Sequence, residues 1–194
     1  MKLKSLSLLA VAALLFTGLS ASAQVSTWTI DTNHSSVNFQ VTHASVSTVR
    51  GSFSKVTGTV VYDDKDVSKS SVTATIDVTT VNTGSEPRDK HLKTPDFFNV
   101  EKFPTMTFKS TSIAKVNGKL KMTGDLTLVG VTKSVTLDVD GPAPAQKGMN
   151  GKTVSGFSAS GLVKRSDFGI GAKFPSVVVG DDIKFTIDIE IDKQ

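Results

Sequence analysis

From residue 27 onward the chain alternates apolar with polar residues almost without interruption. That period of two leaves few folds open. In 36–43, Val37, Phe39, Val41 and His43 share one face, while Ser36, Asn38, Gln40 and Thr42 share the other. The closing segment repeats the pattern, with Ile183, Phe185, Ile187, Ile189 and Ile191 set against Lys184, Thr186, Asp188 and Glu190. Such strands have one greasy face and one wet face, as in an antiparallel sheet solvated on one side. A single long break, residues 88–103 (RDKHLKTPDFFNVEKF), concentrates charge and phenylalanine. A curled sheet with an apolar inside and one Phe-rich insertion predicts a container for something oily.

The strands expected are 27–31, 37–43, 48–54, 58–62, 72–81, 105–114, 119–129, 134–140, 154–165 and 183–191. Asn117-Gly118 marks the strongest hairpin turn between them. Gly141 to Lys152, with Pro142, Pro144, Gly148 and Gly151, reads as a flexible connection. Eight to ten strands in one domain leave exposed edges unless the sheet closes, and a barrel of about eight strands can enclose one small ligand. The fold class predicted is therefore all-β, a single antiparallel closed β-barrel of about eight strands, with a two-sheet sandwich as the alternative. Glycines within strand patterns (Gly51, Gly124, Gly156, Gly161) favour closure, because bends need residues without side chains. In the insertion, Glu86-Pro87 suits a helix start, Pro95 a stop and Pro104 a second stop. A short helical insertion across one end of the barrel follows.

Residues 1–23 read as a cleavable signal peptide: Lys2 and Lys4, an apolar run from Leu6 to Leu19, then Ala21-Ser22-Ala23. The expected location is therefore periplasmic or secreted, with residues 24–194 as the single mature domain. No second apolar run is long enough for a stable membrane span. Without Lys2 and Lys4 the balance is 20 basic against 18 acidic residues, so no nucleic-acid partner is expected. Cysteine is absent, which excludes disulfides and thiolate chemistry.

Enzymatic groups are sparse. Gly156 to Gly161 is one residue too long for a nucleophile elbow and lies in a strand pattern. Gly151-Lys152-Thr153 ends like a phosphate loop, but residue 146 is Gln and a strand follows. His34, His43 and His91 lack the spacing of a local metal site, and the acidic turn 63–66 lacks the glycine and distal Glu of a calcium loop. No catalytic set, metal or cofactor is expected. Phenylalanine stands out instead, with eleven copies against one Trp and one Tyr.

At this point the residues become specific. Trp28-Thr-Ile-Asp31 with His34-Ser35, Val37, Phe39, Val41 and His43 resembles the opening pattern of the YceI-like family, as do Gly51-Ser-Phe53 and Gly58. Arg88, Lys90-His91-Leu92, Asp96-Phe97-Phe98, Phe103-Pro104 and Phe108-Lys-Ser110 resemble its middle signature. Gly124-Asp-Leu126-Thr-Leu128 with Gly130-Val-Thr-Lys133 resembles its later hairpin. Arg165-Ser-Asp167-Phe168-Gly169 and Val179-Gly180-Asp181 resemble its C-terminal blocks. The resemblance runs in order through nearly all of residues 24–191. It implies an exported bacterial protein with a lipocalin-like barrel that binds a polyisoprenoid lipid, such as an isoprenoid quinone or prenyl phosphate. It also leaves room for a homodimer and a transient membrane contact.

Apolar phase along the strands selects Phe39, Val41, Phe53, Ile76, Phe108, Leu126, Leu128 and Phe157 as lining candidates. Arg88, His91, Phe97, Phe98, Arg165 and Asp167 are the candidates for the mouth, where Arg suits a phosphate or a quinone carbonyl. The rival for the polar members is a structural cluster of Arg88, His91 and Asp167 that fixes the insertion. The rival for the whole is a periplasmic stress-response protein with a filled barrel acting through protein contacts. An enzyme acting on the lipid head is a third reading, for which His91 and Asp167 lack an assured third member.

Overall fold

The alternating segments do form strands, and the chain closes them into one ring. The computed structural model describes residues 25–149 and 151–194, so the expected signal peptide lies outside the described residues. The strands are β1 (Val25–Ile30), β2 (Ser36–His43), β3 (Ser47–Phe53), β4 (Val56–Asp63), β5 (Ser71–Asp77) and β6 (Thr105–Val116). They continue with β7 (Lys119–Leu128), β8 (Val131–Asp140), the two-residue β9 (Gln146–Lys147), β10 (Thr153–Lys164) and β11 (Asp182–Lys193). Hydrogen bonding runs β11-β1-β4-β5-β6-β7-β8-β10, and β10 pairs back onto β11 from Val154↔Asp192 to Lys164↔Asp182. The result is the closed eight-stranded antiparallel barrel expected, and it has no free edge at that seam.

One strand position is shared. β1 pairs with the C-terminal end of β11 (Ile30↔Ile191), while β2 pairs with its first half (Phe185↔Phe39). The chain turns this corner on two bonds to one residue. The Asp31 N–H donates to the Glu190 carbonyl at 2.9 Å, and the Glu190 N–H donates to the Ser35 hydroxyl at 3.2 Å. Ser35 is buried there, which is how a polar residue survives inside: its oxygen serves the ladder. β3 then folds back on β2 and is tied to the next segment by the Ser52–Asn82 bridge.

Two boundaries differ from the sequence expectation by three residues or more. β5 stops at Asp77 rather than Val81. The Asp77 carboxylate accepts the Thr79 N–H at 3.0 Å, a local bond that competes with the ladder and tightens 78–80 into a 3₁₀ turn. β8 begins at Val131, because Val129 and Gly130 alone make the turn, both at positive φ (50° and 74°). A branched Val in that backbone region hides the hairpin that Asn117-Gly118 advertises openly.

The insertion carries the one α-helix of the described residues, α1 (Glu86–Leu92), with Pro87 in its first turn. Its start is fastened by Asp89, whose carboxylate accepts the Thr83 N–H at 2.8 Å and the Thr83 hydroxyl at 2.5 Å. Residues 94–103 then turn back over the barrel end, where Leu92, Phe97, Phe98 and Val100 pack on the core. No helix among the described residues is long and apolar enough to cross a membrane.

Candidate functional site

The barrel interior holds two separate spaces. One, here the near chamber, lies under the insertion and has about 1050 Å³ of empty volume, its open end included. Phe39, Val41, Phe53, Ile76, Phe108, Leu126 and Leu128 all line it, as do Phe97 and Phe98 from the insertion. β8, β10 and β11 complete it with Val135, Leu137, Val163, Ile183, Phe185 and Ile187. These last positions share the apolar phase of the expected lining, so the alternation itself marks them. Phe168 and Ile170 also line it, but they lie at the end of a 3₁₀ turn over 165–168 and just after it, where no periodicity reveals them. Phe157 does not belong here; it faces a second space at the opposite end, beside Trp28.

Phenylalanine fills a core when rings meet rings; in the wall Phe39 meets Phe53 with centroids 5.4 Å apart, but Phe39 and Phe185 also lie against glycine. Phe39 pairs directly with Gly51 across β2 and β3, and Phe185 with Gly161 across β11 and β10. Each ring lies against its glycine: a Cβ on Gly51 would sit 2.5 Å from the Phe39 Cζ, and one on Gly161 2.6 Å from the Phe185 Cζ. Glycine lets a bulky ring lie on the backbone of the next strand instead of projecting into the lumen. This arrangement is what keeps the chamber hollow.

At the chamber's end the rings do meet. Phe97 stacks on Phe174 with centroids 5.1 Å apart and planes at 16°, and the His91 ring stands edge-on to Phe97 at 5.1 Å. Phe98 makes an edge contact with Phe53 at 5.4 Å, joining cap to wall. Asp96 latches the same layer by accepting the Lys173 ammonium at 2.6 Å, with His91 Nε2 at 3.4 Å from its other oxygen. The Lys173 ammonium, and then His91, hold the Asp96 carboxyl below the usual carboxylate range.

The charged mouth expected from sequence is not assembled as such. Arg165 borders the near chamber but is buried, and its guanidinium is fully used. Nη1 donates to the carbonyls of Ile170 (2.9 Å) and Gly171 (2.8 Å), and Nη2 to those of Phe174 (2.6 Å) and Val179 (2.9 Å). Nε is shared by Val179 and Gly180 at 3.2 and 3.1 Å. With its five N–H groups committed to the backbone, Arg165 has none left for a phosphate, which corrects that expectation. Its role is to fold the loop after β10 under the cap.

Arg88 is exposed on α1 and donates to the Thr83 hydroxyl (2.7 Å) and carbonyl (2.9 Å). Asp167 is exposed, and it is Asp181 that caps the neighbouring Ser166 N–H at 3.0 Å. No hydrogen bond or ion pair joins Arg88, His91 and Asp167 among the described residues, so the proposed three-residue cluster does not form. His91 lies on the outer side of the cap with Asp96.

One group has a metal-ligand composition: Asp31, His34 and Glu190, whose ligand atoms lie within 4.8 Å of one another. His34 Nδ1 is 2.8 Å from Asp31 Oδ2 and 3.8 Å from Glu190 Oε1. The hydrogen bond to Asp31 raises the His34 pKa, and His34 with the Asn33 N–H lowers that of Asp31. An ion pair accounts for this geometry.

A closed antiparallel barrel with a hollow apolar chamber under an aromatic cap defines a lipocalin-like container. The sequence comparisons carry this further: the YceI-like domain model matches residues 28–191, and the chain belongs to that family. Protein YceI of Salmonella newport is 42% identical over 162 residues, covering 82% of this chain and 83% of the relative. A Campylobacter jejuni YceI protein of known structure is 35% identical, with a TM-score of 0.69 over 77% of this chain and 87% of that one. A polyisoprenoid binding domain from Saccharophagus degradans, 14% identical, shares the fold with a TM-score of 0.63 over 88% of this chain and 100% of that one.

Proposed function

We propose that the protein binds the hydrocarbon tail of a polyisoprenoid lipid in the near chamber, as an exported carrier or sequestering protein. The observation that carries this is the empty, apolar volume kept open by rings lying on glycines. Apolar transfer at ~0.8 kcal/mol per carbon gives ~4 kcal/mol gross for each five-carbon unit buried. Two or three units therefore supply the ~8 kcal/mol of a micromolar complex before ordering costs are subtracted. Because Arg165 is consumed internally, the affinity rests on the tail and the head group stays at or beyond the cap. That favours tolerance of several heads, a quinone or a prenyl phosphate alike.

The description of the Saccharophagus degradans domain as polyisoprenoid-binding supports this ligand class through a shared fold. The signal-peptide pattern of residues 1–23 supports export to the periplasm. Binding rather than catalysis fits the isolation of His91 from Asp167. The rim also suits brief contact with a lipid surface. Val46 is 86% exposed and Val177 63%, on two loops joined by the bond from the Ala44 N–H to the Val178 carbonyl, and the chamber residues Val41 and Val179 lead into those loops.

The test is mass spectrometry of organic extracts from protein purified without detergent. An isoprenoid present in near-stoichiometric amount is the expected result. Protein that carries no lipid and takes none up from vesicles doped with a polyprenol contradicts the proposal and favours the filled-barrel, protein-contact reading.

A further inference from the structure

The second space in the barrel gives the tail somewhere further to go. This far chamber has about 800 Å³ of empty volume, its open side included, and is walled by Trp28, Val72, Met122, Val139, Phe157 and Ile191. The two chambers follow one another along the same strands. On β5 the far chamber takes Val72 and the near one Ile76, with Ala74 between. On β7 they take Met122 and Leu126, with Gly124 between. On β10 they take Phe157 and Val163, with Ala159 between, and on β11 Ile191 and Ile187, with Ile189 between. At the dividing level three strands therefore carry residues too small to fill a lumen.

One ring stands at that level. Phe108 faces Leu126 in the β6–β7 ladder, yet it leans one step along the neighbouring strand onto Gly124. A Cβ at Gly124 would lie 2.4 Å from the Phe108 Cζ. Unlike Phe39 and Phe185, which lie against the glycine directly opposite, Phe108 reaches diagonally toward the far chamber. It is thus a floor rather than a wall, its strand neighbours being Ala74 on β5 and Leu126 on β7.

We infer that Phe108 sets the length of chain the barrel accepts. A tail that fits the near chamber leaves the ring in place. A longer linear chain turns it aside, and its terminal carbons pass into the far chamber against Trp28. Each further carbon removed from water favours the longer insertion, and the cost of turning one side chain is met once. Phe108 acts here as a specificity residue, and the inference rests on the near chamber being the tail site.

The sequence supplies its own reporter, since Trp28 is the only tryptophan and lines only the far chamber. The probe is a length series of linear alkan-1-ols carrying bromine on the last carbon, which quenches indole on contact. Binding is measured separately by calorimetry. Short members are expected to bind without changing Trp28 emission, and beyond a threshold length most of the emission is lost. Phe108→Ala lowers that threshold; Phe108→Leu, which retains more packing, lowers it less and guards against loss of fold. Emission that stays constant for every chain that binds overturns the inference and leaves the carrier reading standing. Equal quenching at all lengths, or a threshold unmoved in both variants, also overturns it. Failure of every alcohol to bind removes the tail site itself, and both proposals with it.

Discussion

The barrel wall and the cap are both built on phenylalanine, but the rings do opposite things. In the wall, Phe39 and Phe185 lie on Gly51 and Gly161 and leave the lumen open. In the cap, Phe97, Phe174 and the His91 ring lie on one another over the end. A ring leaves space on the side where it lies on glycine and fills it where it meets another ring; Phe39, on Gly51 and 5.4 Å from the Phe53 ring, does both. Counting aromatic residues therefore says nothing about whether a barrel is hollow; what each ring lies against does.

The connection between the two regions is the part most open to breakage. Arg165 ties the end of β10 to the loop beneath the cap through five backbone carbonyls. Arg165→Ala strands those acceptors, and an unfolding free-energy loss of ~4 kcal/mol is expected from denaturant titration. Lys in its place should not restore stability, because one ammonium does not span the fork of a guanidinium. A loss under ~1 kcal/mol would show that the carbonyls find other partners.

Within the wall, Gly161→Val forces the Phe185 ring off the backbone, since its nearest obstacles are side-chain atoms of Phe185 and Leu137. The ring has an empty chamber to enter, so stability should fall by only ~1 kcal/mol while retained lipid falls ~10-fold. Stability lost with lipid capacity intact would mean that the ring is not what keeps the chamber open. In the cap, the pair Phe97→Ala and Phe98→Ala should leave the fold intact, lower stability by ~2 kcal/mol and speed tail release ~10-fold, each aromatic contact contributing ~1 kcal/mol. Unchanged release in a stopped-flow exchange assay would remove the cap from the account.

The smallest effect lies at the corner where β1 gives way to β2. Because the Asp31 hydrogen bond raises the His34 pKa above its ordinary 6.5, the stabilisation is complete below that value and fades as the pH rises through the raised one. Asp31 works in the opposite sense: its lowered pKa contributes above the ordinary 3.8 and is lost in acid. A slight fall in melting temperature above pH 6.5 is expected for the parent protein and not for His34→Gln. Equal pH slopes in both would assign the slope to other groups.

Much of this was legible in the sequence because period-two alternation is a direct image of a wall with an inside and an outside. Phe39, Val41, Phe53, Ile76, Phe108, Leu126 and Leu128 could be placed from phase alone. Depth could not: alternation gives the face of a strand and not the distance along the barrel, so Phe157 could be named as lining but not placed at the far end. Arg165 was legible as important but not in its role, because its partners are backbone carbonyls that leave no mark in composition. The turn at Val129 was hidden for the same kind of reason, a backbone conformation carried by a residue that rarely adopts it.

The most direct test of the hollow wall is a crystal structure of the protein purified without detergent. It should show elongated density in the near chamber, with the rings of Phe39 and Phe185 lying on Gly51 and Gly161. Rings turned inward to meet one another across a solid centre, with no room for a hydrocarbon chain, would contradict the account.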